Sequence, residues 1–283
     1  SVPPVPESVS ALVARLSRRV PAHEARILLA HVLGTDLSRL LVADPPDAAT
    51  VARLEGLVAR REAGEPLQHV TGTAPFRTVD LEVGPGVFIP RPETEVMTGW
   101  ALERMAEAGA PVVVELCAGS GAITKALATE FGTAATFHCV ELSPDAFAYL
   151  ERNLAGLGVD ARLGDMADAF ADLDGTVDLV VANPPYVPLD HWADVPAEVR
   201  DFDPALALVS GTDGLDAMRV VADVAARLLR PGGWVCAEHA EVQEASAPEV
   251  FVRQGSFTHV ADHRDLTDRP RFVTARRGGR MGA

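Results

Sequence analysis

The amino-acid sequence predicts an α/β protein in which a mostly parallel sheet is preceded by a small helical bundle and a β-hairpin. Three features support this fold class. Apolar residues recur at helical spacing through residues 7–65, short β-prone segments separated by Gly and Pro follow in 66–92, and strand-like and helix-like segments alternate from residue 111 onward. Such alternation is typical of parallel sheets with helices on both faces.

The first region is expected to hold three short helices. The segment from Glu7 to Leu16 carries an apolar stripe, Pro21 opens a second helix, and Asp47 opens a third. Gly34 and Gly64 follow the last apolar positions of the second and third helices, where glycine commonly ends a helix. We therefore expect a helical bundle in residues 1–65.

The second region, residues 66–92, is expected to form a β-hairpin that links two domains, because Gly and Pro separate its β-prone pieces. The alternation that follows fixes the expected order of the remaining elements. The expected strands are 69–72, 76–79, 81–83 and 87–89 in the linker, then 112–116, 136–141, 161–163, 177–182, 234–238, 257–260 and 271–274; the expected helices are 94–108, 122–130, 144–157, 214–229 and 243–254, with a turn at 231–233.

The charge of the chain is strongly acidic and unevenly placed. The formal net charge is −15 over 283 residues, while residues 1–70 carry eight Arg and eight acidic residues, so the whole excess falls on the remainder. A protein that holds DNA normally presents a basic surface to the phosphates. We therefore expect no direct contact with nucleic acid. We also expect the protein to be a monomer.

No apolar stretch approaches the ~18 residues that a transmembrane helix needs, so no membrane association is expected. The first residues lack the basic region and apolar core of a signal peptide. Cys117, Cys139 and Cys236 are far apart and odd in number, which favours reduced thiols over a disulfide or a metal site. These features indicate a cytoplasmic protein.

The tetrapeptide Asn183-Pro184-Pro185-Tyr186 is the most informative motif. It follows the apolar segment 177–182, which reads as a buried strand. Open α/β sheets bind their ligands at the carboxyl ends of strands. The Asn amide donates and accepts hydrogen bonds, the prolines leave nearby carbonyls free to accept, and Tyr offers a flat face. Such a site suits a planar NH2 group and indicates methyl transfer to nitrogen.

Three further strand ends predict a cofactor site. A Gly-rich turn follows strand 112–116, Glu141 ends the next strand, and Asp165 with Met166 follows the third. Each signal alone also fits a ligand-free turn or an exposed carboxylate. Together they indicate an adenosine-containing cofactor, with the acid on the ribose hydroxyls. The acidic site and the missing phosphate loop favour S-adenosyl-L-methionine over NAD or ATP. The expected cofactor residues are Cys117, Ala118, Gly119, Ser120, Gly121, Glu141, Asp165, Met166 and Asn183.

Several motifs resemble those of one enzyme family over nearly the whole chain. They include Ile-Pro-Arg-Pro-Glu-Thr-Glu at 89–95 and the Asn-Pro-Pro-Tyr motif itself. The chain resembles the PrmC/HemK family, the N(5)-glutamine methyltransferases of peptide-chain release factors. The other matching segments are 65–72, 119–123, 198–200 and 265–267, with Pro204, Ala207, Leu208 and Arg271.

The resemblance implies a helical bundle at 1–65 that docks the substrate, a β-hairpin linker at 66–92, and a Rossmann-like, seven-stranded class I methyltransferase domain at 93–283. It implies that Gly119, Ser120 and Gly121 hold the cofactor, that Glu141 binds its ribose, and that Asp165 and Met166 lie near its adenine. It also implies that Asn183 and Pro184 are catalytic and grip the target amide, with Pro185, Tyr186, Phe88 and Arg91 as further substrate-binding residues.

Two departures from the family pattern concern three positions. Cys117 and Ala118 replace the more usual Gly and Thr, and Ala240 replaces a usual Gly.

The resemblance predicts methyl transfer from S-adenosyl-L-methionine to the glutamine amide of the Gly-Gly-Gln motif of release factors, with S-adenosyl-L-homocysteine as product. Two alternatives stay open. An N6-adenine methyltransferase acting on DNA or RNA shares the Asn-Pro-Pro-Tyr motif, and the departures at Cys117 and Ala118 would also suit a scaffold with a decayed pocket.

Overall fold

The computed structural model describes residues 1–187, 193–202 and 208–279. Pro204 and Ala207, which belong to the family motifs, lie outside the described residues. The chain divides into two compact units between Thr73 and Ala74.

The first unit is helical, as the apolar spacing predicts. Ser8 caps α1 by accepting a hydrogen bond from the Ala11 amide, and Asp47 caps α3 through the Thr50 amide. Gly34 ends α2 in the left-handed conformation. The bounds are α1 Val9–Leu16, α2 Ala22–Leu33, a 3₁₀ helix Leu37–Val42, α3 Ala48–Glu62 and α4 Leu67–Thr71.

The α4 helix corrects the prediction of a β-prone piece at 69–72. Pro66 precedes its first residue and Gly72 ends it with a φ of 76°. Proline is suited to the start of a helix and glycine to its end, and here these two signals outweigh the β-propensity of Val70 and Thr71.

A hairpin and a seven-stranded sheet form the β structure of the second unit. The hairpin consists of β1 Thr73–Phe76 and β2 Val79–Glu82. The sheet strands are β3 Val112–Leu116, β4 Thr136–Glu141, β5 Asp160–Leu163, β6 Val177–Ala182, β7 Leu229–Glu238, β8 Phe257–Arg264 and β9 Pro270–Arg277. The helices are α5 Thr94–Met105, α6 Ala122–Phe131, α7 Pro144–Leu154, α8 Ala197–Phe202, α9 Asp216–Leu228 and α10 Ser246–Gln254.

The sheet order is β5-β4-β3-β6-β7-β9-β8, with β3 to β7 parallel and β9 antiparallel to both neighbours. Both faces are covered, because Leu179 and Val181 of β6 pack into one apolar cluster and Val180 packs into another. The chain runs outward from β3 in both directions. A crevice therefore opens at the carboxyl ends of β3 and β6, where such sheets bind ligands. The predicted α/β fold class is confirmed.

Three further local predictions differ from the structure. Residues 76–79, expected as a strand, contain the turn at Arg77 and Thr78 that joins β1 to β2, and Arg77 has a positive φ of 49°. Residues 87–89 form no strand, although Val87 and Ile89 are buried in the core. The expected turn at 231–233 lies inside β7 as an irregularity, since the register jumps from Val177 opposite Leu229 to Leu179 opposite Trp234. Within the described ranges, no helix combines the length and apolar character that crossing a bilayer requires.

Candidate active site

A cavity of about 390 Å³ opens at the carboxyl ends of the parallel strands. Its wall brings together most of the residues that the sequence predicts for the site. Those that line it are Phe88, Cys117, Ala118, Gly119, Ser120, Glu141, Asp165, Met166, Asn183, Pro185 and Tyr186. Gly121, Pro184 and Arg91 were also predicted, but they are not among the described residues that line the cavity.

The loop between β3 and α6 has an unusual backbone. Cys117 and Gly119 both have positive φ values, 54° and 55°. A side chain at Gly119 would meet no atom within 4 Å, so the missing Cβ leaves open space beside the loop. Glycine at this position therefore gives a ligand close access to the backbone.

Gly121 has a different role in the same loop. Its φ is 86°, and a Cβ there would lie 2.7 Å from Leu150 Cδ1 on α7. The residue is buried and begins α6. Glycine at 121 thus allows α6 to pack against α7. This packing in turn positions the loop between β3 and α6.

Glu141 connects the loop to the end of β4. Its Oε1 accepts the Gly119 backbone N–H at 2.8 Å, and its Oε2 accepts the Ser143 backbone N–H at 2.8 Å. A carboxylate oxygen has more than one acceptor site, so both oxygens keep capacity for a further donor. The carboxylate is held in place and can accept from a pair of hydroxyl groups.

Asp165 and Met166 follow β5 on the same edge of the sheet. Asp165 Oδ1 accepts the Ala167 backbone N–H at 2.9 Å, which begins a short 3₁₀ helix. Met166 Sδ lies 3.5 Å from Cys117 Sγ. The thioether, the thiol and the exposed carboxylate therefore form one corner of the cavity wall.

The segment 183–187 is fixed by contacts with neighbouring loops. The Tyr186 and Val187 backbone amides donate to the Leu208 carbonyl at 3.1 and 2.7 Å. Gln243 Nε2 donates to the Tyr186 carbonyl at 3.3 Å. Pro184 is buried, and burial raises the pKa of the Tyr186 hydroxyl. The motif is therefore held rigidly where β6 ends.

The cavity wall carries acids from four elements. Glu115, Glu141, Asp165 and Asp216 all line it, and no Lys, Arg or His does so among the residues that the structure describes. Burial raises the pKa of Glu115 to about 8, and the Glu141 charge adds to the rise, although two hydrogen bonds from Thr124 oppose it. Such a wall favours a cationic ligand and disfavours phosphate groups.

The two departures from the family pattern have different structural consequences. Cys117 takes a positive φ, which suits the usual glycine and strains any residue with a side chain. Ala240 has a φ of −71°, which requires no glycine, and its amide donates to Gln243 Oε1 at 3.0 Å. The replacement at 240 is thus accommodated without strain.

Comparison with known proteins gives the family. Residues 7–72 match the PrmC N-terminal domain, and residues 113–203 match a methyltransferase domain. The chain is 51% identical over 259 residues to the release factor glutamine methyltransferase of Streptomyces coelicolor, with 91% of each chain covered. The chain belongs to the release factor glutamine methyltransferase family.

The chain is also similar to a methyltransferase of another named substrate and to a solved methyltransferase structure. The chain is 40% identical to the 4-amino-L-phenylalanine/4-methylamino-L-phenylalanine methyltransferase of Streptomyces pristinaespiralis, covering 87% of this chain and 84% of that protein. A methyltransferase structure from Pyrococcus furiosus superposes with a TM-score of 0.50 at 16% identity, covering 82% of this chain and 100% of that chain. The latter supports the fold alone.

Family membership makes the protein a methyltransferase, and its cofactor is S-adenosyl-L-methionine. The cavity fits this group. Glu141 retains acceptor capacity for ribose hydroxyls, Gly119 leaves space beside the backbone, and the acidic wall suits a positively charged sulfur.

The residues predicted for the site do not include Thr94, Glu115 and Glu238. Thr94 and Glu115 line the cavity, and Glu238 lies behind it, buried and hydrogen-bonded to Thr94. Glu115 is the penultimate residue of β3 and Glu238 is the last residue of β7, so their positions near strand ends are the signal that the sequence offers. Thr94 belongs to the Ile-Pro-Arg-Pro-Glu-Thr-Glu segment, of which only Arg91 is a predicted site residue.

Proposed function

We propose that this protein transfers a methyl group from S-adenosyl-L-methionine to the side-chain amide nitrogen of the glutamine in the Gly-Gly-Gln motif of peptide-chain release factors. The observation that carries the proposal is the position of Asn183. It lines the same cavity as the loop held by Glu141, at the carboxyl end of the neighbouring strand β6. An amide that can grip a planar NH2 group therefore lies beside the cofactor site.

The chemistry requires positioning above all. The cofactor supplies an electrophilic methyl group on a positively charged sulfur. An amide nitrogen is a weak nucleophile because its lone pair is delocalised, so holding it in line with the methyl group accounts for much of the acceleration. Asn183 Oδ1 and the Pro184 carbonyl accept the two N–H bonds of the substrate amide. They favour the positive charge that develops on nitrogen.

The rigidity of the motif supports this role. Because Leu208 and Gln243 hold the backbone at Tyr186 and Val187, Asn183 presents its amide from a fixed frame. Pro184 and Pro185 restrict the backbone further. We assign no general base, since the proton of the methylated amide leaves readily to water. Phe88, with Arg91 5.0 Å above its ring, belongs to the same substrate pocket.

The partners and the location follow from the substrate. Release factors act in translation, so we place the enzyme in the cytoplasm, as a monomer whose residues 1–65 dock the release factor. The acidic excess of the second unit disfavours a direct contact with nucleic acid, and with it the N6-adenine alternative.

The Streptomyces pristinaespiralis relative raises a second candidate substrate. That protein is named for methylating an aromatic amine, which also presents a planar NH2 group. The coverage of 91% at 51% identity to a release factor methyltransferase favours the release factor over such a small amine.

The test is mass mapping of substrates after incubation with the full-length protein and S-adenosyl-L-methionine. Release factor, 4-amino-L-phenylalanine and duplex DNA are tested in parallel, with Asn183→Ala as the control enzyme. We expect one added methyl group on the Gly-Gly-Gln peptide. Methylation of the amine or of adenine, with an unmodified release factor, would overturn the proposal.

A further inference from the structure

A buried carboxyl group lies beside Asn183. Glu238 ends β7 and is 2% exposed. The parallel strands β6 and β7 pair Ala182 with Ala237, and Asn183 and Glu238 are the residues that follow these two. Thr94 Oγ1 donates to Glu238 Oε1 at 2.7 Å, and hydrogen bonding from the Asn183 side chain lowers the pKa of the same carboxyl group. Glu238 is not among the described residues that line the cavity, so it acts on the cavity through its neighbours Thr94 and Asn183, which both line it.

We propose that Glu238 is a positioning residue that sets which end of the Asn183 amide faces the substrate. An asparagine amide has a donor end and an acceptor end, and a rotation of about 180° exchanges them. An ionised carboxylate accepts hydrogen bonds only. The NH2 group of Asn183 must therefore face Glu238, which leaves Oδ1 for the cavity. This inference rests on the proposed function, in which Oδ1 accepts an N–H bond of the substrate.

The protonation state of Glu238 decides whether this arrangement holds. Burial raises the pKa of Glu238 to about 7, although hydrogen bonds from Thr94 and Asn183 oppose the rise. A protonated Glu238 carries an O–H donor that competes for Oδ1 of Asn183. The competition removes the acceptor that the substrate needs, so methyl transfer falls as the pH drops through about 7.

The groups that face Glu238 come from every element packed against it. Arg271 on β9 favours the ionised form, and Glu93 before α5 opposes it. The Tyr186 hydroxyl shares this environment, since the Glu238 charge contributes to the rise of its pKa. Thr94 also faces Glu238, and its hydrogen bond can be removed without changing any charge and without altering Asn183 itself.

Thr94→Val removes that bond while keeping the shape of the side chain. The loss of a hydrogen bond to a charged group destabilises ionised Glu238 and raises its pKa by about one unit. The curve of kcat against pH, taken relative to each variant's own plateau at high pH, then moves upward by about one unit, which is a roughly tenfold lower relative turnover near pH 6.

Thr98→Val is the matched control. Thr98 is also buried on α5, one turn further along, and its hydroxyl donates only to the Thr94 carbonyl at 2.9 Å within the described contacts. The same chemical change there leaves Glu238 untouched, so we expect the wild-type pH profile.

Glu238→Gln tests the group itself. A glutamine amide does not titrate, so the acid limb near pH 7 disappears. Turnover also falls at every pH, by roughly tenfold, because the glutamine can present a donor or an acceptor to Asn183. A residue that only filled the core would change stability without moving the pH profile.

A second measurement uses the full-length protein without substrate. The side-chain NH2 signals of Asn183 in ¹H–¹⁵N NMR spectra should titrate near pH 7 in the wild type and not in Glu238→Gln. If the wild type methylates no release factor, the proposed function fails, and an absent NMR titration would then refute the Glu238 contact independently. If release factor is methylated but Thr94→Val and Thr98→Val give the same pH profile, the positioning role is wrong.

Discussion

Gly119 donates its backbone N–H to Glu141 Oε1 at 2.8 Å, which joins the loop after β3 to the end of β4. The other carboxylate oxygen accepts the Ser143 amide at the start of α7. One side chain therefore holds together three segments beside the cavity that is the candidate cofactor site. Glu141 can make both contacts because each of its carboxylate oxygens accepts hydrogen bonds.

Glu141→Gln should weaken cofactor binding by roughly 10- to 100-fold, because the new NH2 group must face either the Gly119 or the Ser143 donor. Isothermal titration calorimetry with S-adenosyl-L-methionine measures the loss. Asp145→Asn is the matched control, since it removes an acidic charge from a nearby exposed position on α7. Equal affinities of the two variants would contradict the role of Glu141.

Gly121→Ala should destabilise the fold through steric overlap with Leu150. Positive φ at an alanine costs about 1–2 kcal/mol, and overpacking adds about 1–3 kcal/mol. Gly255→Ala separates the two effects, because Gly255 is also left-handed, with a φ of 87°, and a Cβ there would meet its nearest atom at 4.0 Å. Urea unfolding should show a larger loss of unfolding free energy for Gly121→Ala than for Gly255→Ala. Equal losses would show that packing against α7 does not require glycine.

Much of the site could be predicted because parallel strands bring their carboxyl ends to one edge. Glu141 ends β4, and Asp165 and Asn183 come after β5 and β6, so the topology alone assembles them once these three strands are predicted. The exact set of residues that line the cavity could not be predicted. Gly121 fits the glycine pattern of a cofactor loop, yet its requirement for glycine arises from Leu150 on another helix.

The contact between Thr94 and Glu238 could not be predicted from the sequence. The two residues are 144 positions apart, and their contact depends on how α5 packs beside β7. No periodicity encodes such a pair. The short helix α4 escaped prediction for a different reason, since Val70 and Thr71 favour strands while Pro66 and Gly72 set the helix ends.

Cofactor binding should tighten as the pH rises through about 8. Burial keeps the pKa of Glu115 at about 8, above its ordinary value, so the group is largely neutral at lower pH and becomes negative above. A cationic sulfur in the cavity favours the ionised form, and binding therefore releases protons. Calorimetry in two buffers with different ionisation enthalpies measures that release near pH 8.

Glu115→Gln provides the control for this linkage. The amide cannot ionise, so the pH dependence near 8 and the proton release should both disappear. S-adenosyl-L-homocysteine, which lacks the positive sulfur, should release fewer protons than the methyl donor in the wild type. Equal release by the two ligands would show that the sulfur charge does not reach Glu115.

Asn183→Ala should raise the barrier to methyl transfer by about 2–4 kcal/mol, the range for loss of one preorganised hydrogen-bonding group at a reacting centre. The fold should tolerate the change, because the described backbone hydrogen bonds of the segment come from Tyr186 and Val187. Single-turnover kinetics with release factor measure the barrier, while the melting temperature and the cofactor affinity of the same variant report on folding and on the binding site. A variant that keeps wild-type single-turnover rates would exclude Asn183 from the grip on the substrate amide. A loss confined to cofactor affinity would instead place it on the cofactor side of the cavity.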